Sequence, residues 1–122
     1  MDAFGWRRRL REEALAKARS LADRVGGTVF LVGSYARGDF SEDSDVDVVV
    51  VGRFAEPPHR RLLGVWEPGV EVIALTVEEA LKVVERCYPL ALDIALGVVL
   101  RDDLKIAEML IGKAKRCMRA FS

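Results

Sequence analysis

Two aspartates one residue apart, Asp45 and Asp47, follow a Gly33-Ser34 pair by ten intervening residues. Asp45 to Val51 starts polar and ends in four valines, the pattern of a buried strand closed by Gly52. Residues i and i+2 of a strand share a face, so the two carboxylates stand side by side, about 7 Å apart. Like charges beside a valine-rich core repel, and a cation relieves them. Mg²⁺ suits such a pair, because it takes hard oxygen ligands, keeps some waters and is completed by substrate phosphates. Thr28 to Val32 is a second β-branched run, and Gly33 permits a sharp turn at its end. Ser34 brings a hydroxyl to a point where a short helix can begin, an anion site in form. Antiparallel pairing of these two strands sets the turn beside the carboxylates. That juxtaposition is what metal-assisted phosphoryl or nucleotidyl transfer requires.

Two rival motifs fail. Asp43, Asp45 and Asp47 imitate the start of a calcium-binding EF-hand loop, but Val48 stands where its glycine belongs and Phe54 where its bidentate glutamate belongs. No Gly-Lys-Ser/Thr follows the glycine turn, which excludes a Walker P-loop.

The elements that must hold these residues follow from periodicity. Asp2 to Val25 reads as a helix with Leu10, Ala14, Ala18, Leu21 and Val25 on its inner side, stopped by Gly26-Gly27. Gly33 to Ser44 is a polar connection with room for one helical turn. Pro57-Pro58 breaks regular structure, and Arg60 to Trp66 is expected as a short helix. Val70 to Thr76 is a third strand, expected parallel to the second because about eighteen residues separate them, enough for a crossover. Thr76 and Glu79 form a capping box for a helix from Val77 to Cys87. Leu90 to Leu96 fits either helix or strand, and Gly97 to Leu100 an edge strand. Asp102 or Asp103 caps a last helix toward Phe121, with Ala107, Leu110, Ile111, Ala114, Met118 and Phe121 inward. The expected architecture is α/β (α+β): a small mixed sheet of three to four strands flanked by helices.

The chain has 122 residues, and nineteen Lys+Arg balance nineteen Asp+Glu. That length predicts one domain over 1–122, and the neutral balance argues against a basic nucleic-acid glove. No run is apolar enough to span a membrane, and the first residues lack a signal-peptide pattern. Cys87 and Cys117 make no CxxC pair and no disulfide framework; they read as buried helix residues, which disfavours zinc and favours the cytoplasm. Asn and Gln are absent, a composition that leans toward a thermophile. The basic runs Arg7-Arg8-Arg9 with Arg11, and Lys113 with Lys115, Arg116 and Arg119, read as solvated faces. Trp6 and Trp66 read as packing residues, Tyr35 as a half-exposed loop residue and His59 as a surface residue.

The Gly-Ser, ten-residue, Asp-x-Asp constellation resembles the minimal nucleotidyltransferases of the DNA polymerase β-like nucleotidyltransferase superfamily. Arg37-Gly38 in the loop and Ser44 before the acids meet the fuller pattern. The resemblance carries Gly33, Ser34, Arg37 and Ser44 over as nucleotide-binding candidates, although Arg37 fits equally a pair with Asp39 or Asp43, and Ser44 fits a turn. It implies two Mg²⁺ ions on Asp45 and Asp47 and a third carboxylate on the neighbouring strand, acting as general base or metal-orienting group. Glu71 fits that place if strands two and three are parallel, with Ile73 and Leu75 continuing into the core; it is one methylene longer than the usual Asp, and Asp93 and Glu67 are alternatives. The implied reaction moves a nucleoside monophosphate, AMP from ATP, to a hydroxyl. The fold core is expected to take up nearly all 122 residues, so the acceptor is expected from a partner or a second copy. The family implies a helical HEPN partner, in a toxin–antitoxin pair whose antitoxin attaches AMP to a tyrosine. The alternative is a non-catalytic module of the same fold that captures its partner.

Overall fold

The computed structural model describes residues 5–119. Helix α1 (Gly5–Val25) is followed by strand β1 (Thr28–Val32), a short helix α2 (Gly33–Arg37) and strand β2 (Val46–Gly52). Strand β3 (Val70–Thr76) leads into helices α3 (Val77–Glu85) and α4 (Pro89–Ala95), then strand β4 (Val98–Asp102) and helix α5 (Ala107–Cys117). The sheet order is β3-β2-β1-β4. β2 and β3 run parallel, whereas β1 is antiparallel to both β2 and β4.

Helices cover both faces of the two central strands, so every side chain of β1 and Val48 to Val51 of β2 are buried. This is why these strands read as continuous β-branched runs rather than alternations. Ala14, Ala18 and Leu21 of α1 pack with Val29, Leu31, Val48 and Val50 on one face. Ala80, Val84, Ile94, Leu110 and Ala114 of α3, α4 and α5 pack with Phe30, Val49 and Val51 on the other. Each fully buried valine, leucine or phenylalanine contributes about 1.5–3 kcal/mol.

Several expectations need correction. Asp45 lies just before β2, not within it. No helix forms over 60–66; the crossover carries one 3₁₀ turn at Pro58–Arg60 and then turns, because Gly64 and Pro68 interrupt any helical run. Ile73 is 41% exposed because β3 is an edge strand not fully roofed by α3. Met118 is exposed beyond the end of α5, while Phe121 and the start expected for α1 at Asp2 fall outside the described residues. Trp66 is 75% exposed and Tyr35 is buried, the reverse of the sequence reading.

The cysteines differ most. Cys87 and Cys117 form a disulfide that joins the chain just after α3 to the end of α5. Cys117 is a buried helix residue, but Cys87 lies beyond α3 with φ +54°. There the Tyr88 N–H donates to Val83 O, closing the helix in a position that usually takes glycine. The two residues are thirty apart in sequence, so only the packing of α3 against α5 reveals the pairing.

The capping box at Thr76 holds as the sequence predicts, whereas α5 starts only at Ala107 with Ile106 at its N-cap, and Asp102 serves it from the end of β4. The Thr76 hydroxyl accepts from Glu79 N while Glu79 Oε1 accepts from Thr76 N. Asp102 Oδ1 accepts from the N–H groups of Ile106 and Ala107 at the start of α5 and from the hydroxyl of fully buried Thr28.

Candidate functional site

The register fixes which residues meet. Val32, the last residue of β1, stands opposite Asp47, and Asp47 stands beside Glu71 across the parallel pair. The turn that follows Val32 therefore starts against Asp47. Gly33 adopts φ +74°, and a Cβ there would collide with Asp47 Oδ2. Only glycine meets both conditions. Ser34 follows, half-buried, in the first turn of α2, whose N-terminus has no side-chain cap.

Asp47 is half-buried, while Asp45 and Glu71 are exposed. Burial pushes the Asp47 carboxyl above the usual aspartate range; the charges of Glu71 and Asp45, a hydrogen bond with Glu71, and the charge of Asp93 push the same way. Four acids from three segments and α4 thus converge electrostatically on one point at the end of the sheet.

Among the alternatives for the third carboxylate, the fold brings Glu71 and Asp93 into the field of Asp47. Glu67 is held instead by Arg24, at 3.0 Å on the side chain. Arg37 does not pair with Asp43; its Nε lies 3.2 Å from Asp39 and its Nη1 3.5 Å from Asp93. The Ser44 hydroxyl accepts from Ser41 N at 2.8 Å and so closes the loop before Asp45.

Sequence reasoning missed the basic side of the site. Arg7 and Arg11 of α1 are not only a solvated face: Arg7 donates to Gly38 O and Phe40 O, and Arg11 to Tyr35 O. The signal available was weak, since α1 carries basic residues on several of its sides.

Hard carboxylate oxygens are the right donor type for Mg²⁺. Among the described residues, however, no three His, Cys, Asp or Glu side chains are gathered into a ready-made metal cage. A clustered but open set of acids fits an ion that takes its remaining ligands from water and substrate phosphates. The cleft of about 420 Å³ between β4 and α5, lined by Val99, Asp102, Glu108, Ile111 and Lys115 among others, contains none of these acids.

A model of the nucleotidyltransferase domain matches residues 9–119. A stretch of 24 residues, 20% of this chain, is 58% identical to a protein of Methanocaldococcus jannaschii named as a candidate protein adenylyltransferase; the match spans 24% of that relative. The crystal structure of a candidate nucleotidyltransferase from Sulfolobus solfataricus superposes with TM-score 0.57 at 23% identity, over 76% of this chain and 84% of that one. A toxin–antitoxin crystal structure with AMP-PNP superposes with TM-score 0.54 at 18% identity, over 88% of each chain. These two structures share the fold.

Proposed function

The chain belongs to the nucleotidyltransferase domain family, and from that premise we propose that it transfers AMP from ATP to a hydroxyl of a partner protein. The observation that carries this reading is the Asp47 carboxyl, raised by burial and by neighbouring acids and packed against the Gly33 turn. A fold keeps such repulsion at one point when a cation and a polyanion occupy it in the working state.

Asp45 and Asp47, with Glu71, would hold two Mg²⁺ ions, which supply charge neutralisation for the triphosphate and lower the pKa of the acceptor hydroxyl. Gly33 allows the backbone to approach the phosphates closely, and Ser34 offers its hydroxyl and N–H. Arg37 is within reach of the same rim through Asp93 and adds positive charge for the phosphates. The acceptor oxygen bonds to the α-phosphorus, pyrophosphate leaves, and Glu71 takes the acceptor proton. Catalysis in this arrangement is mainly positioning and charge placement.

The partner we propose is a helical HEPN protein, with this chain, a single domain over 1–122, as the antitoxin that modifies it. The short likeness to a candidate protein adenylyltransferase and the fold shared with a toxin–antitoxin structure support that choice. The test is incubation with α-labelled ATP, Mg²⁺ and the product of the neighbouring gene. Label on the partner, lost with Asp45→Asn and with Asp47→Asn, is the expected result.

One observation favours a second reading, a module that binds its partner without chemistry: no three acids among the described residues form a ready-made cage. A stable complex with no label, unaffected by those substitutions, is its mark.

A further inference from the structure

We propose that Arg7, on the first turn of α1, is a positioning residue that sets the Gly33-Ser34 turn for the nucleotide; this rests on the reading of that turn as a phosphate seat. Helix α2 has only five residues, too few to hold its own shape. What packs on it must fix where Ser34 points. Three contacts do so from α1. Arg7 Nη2 donates to Gly38 O at 2.8 Å, and Arg7 Nη1 donates to Phe40 O at 3.0 Å. Arg11 Nε donates to Tyr35 O at 3.4 Å. The first two leave from one guanidinium, a planar fork that an ammonium cannot reproduce.

The same guanidinium lies over the Phe40 ring, 4.4 Å from its centre. Phe40 in turn stacks on Tyr35, with ring centres 4.5 Å apart and planes 18° from parallel. Both rings are buried, and Tyr35 is the residue after Ser34. A column Arg7–Phe40–Tyr35 thus connects α1 to the backbone beside Ser34. Gly38, whose carbonyl accepts one arm of the fork, closes α2 in the left-handed conformation at φ +93°. Arg7 therefore grips the segment at the point where it reverses.

The test compares Arg7→Ala and Arg7→Lys with the unmodified chain by amide hydrogen exchange and by calorimetric titration with MgATP. Arg7→Ala is expected to speed exchange over residues 34–40 by about tenfold or more, to weaken MgATP by about tenfold, and to leave residues 48–51 protected. Arg7→Lys keeps helix propensity and charge but not the fork, so it should restore neither readout. Unchanged exchange over 34–40 in Arg7→Ala, full recovery in Arg7→Lys, or loss of protection at 48–51 as well would each overturn the proposal. If the unmodified chain takes up no MgATP, the nucleotide reading fails, and the exchange comparison alone then decides whether Arg7 holds the turn.

Discussion

The two ends of the sheet both carry acids, and they treat them in opposite ways. At the end where β1 stops, burial and the charges of Glu71, Asp45 and Asp93 raise Asp47. At the other end, burial pushes Asp102 up, but hydrogen bonds from Thr28, Ile106 and Ala107, with Lys105 nearby, more than reverse it and its pKa is lowered. Glu79 is lowered there too, chiefly by the Thr76 N–H, with burial opposing and Arg61 assisting. The acids at one end are satisfied by donors that the fold supplies. At the other, Asp47 faces Glu71 and Asp45, and Arg37 reaches Asp93 at 3.5 Å. A carboxylate that serves only the fold is expected to look like Asp102; the unrelieved group is where the proposed cation would enter.

The largest effect should come from Asp47→Asn. Nucleotidyl transfer should fall by about a thousandfold or more, as when a group facing transition-state charge is removed. The same substitution should leave the metal-free protein as stable as before or more so, because it removes a repelled, half-buried charge. Label-transfer rates and urea unfolding together check both halves. A transfer rate near that of the unmodified chain would erase the contrast between the two ends.

Asp102→Ala should do the reverse, with transfer affected only through folding. It strands the buried Thr28 hydroxyl and uncaps α5, which should cost about 2–4 kcal/mol in urea unfolding. Gly33→Ala falls between the two. The left-handed φ and the collision with Asp47 should cost about 1–3 kcal/mol, and MgATP binding should weaken with it.

The smallest effect is a difference in pH slope, read in EDTA. Asp47 has a raised folded pKa, so the stability it gives is present at low pH and lost as pH rises through the carboxylate range toward that pKa. Asp102 has a lowered one, so its stability is present above the unfolded value and lost as pH falls through the folded pKa. Unfolding free energies between pH 3 and 7 should show Asp47→Asn gaining on the unmodified chain as pH rises and Asp102→Asn losing ground. Parallel slopes would mean that both acids sit in equivalent surroundings.

Much of this was legible in the sequence, and for physical reasons. β1 and β2 are continuous β-branched runs because helices cover both their faces, and the capping box at Thr76 is a local pattern that needs no tertiary context. The parallel pairing of β2 and β3 follows from the crossover length, and it sets Glu71 beside Asp47. What stayed hidden depends on contacts between distant segments. The Cys87–Cys117 bridge needs α3 packed on α5. Asp93 reaches the acids only because α4 folds back over the end of the sheet, and sequence alone left it level with Glu67 as an alternative. Arg7 looks like any surface arginine until the loop at 38–40 is laid against it.

On the proposed function, the acid end is a seat for a divalent cation carrying a nucleoside triphosphate. Isothermal titration of the unmodified chain with ATP, with and without Mg²⁺, tests it directly. Saturable binding that requires Mg²⁺ and disappears in Asp47→Asn is the expected outcome. Binding that is unchanged by EDTA and by that substitution, or no heat with any common triphosphate, would contradict it.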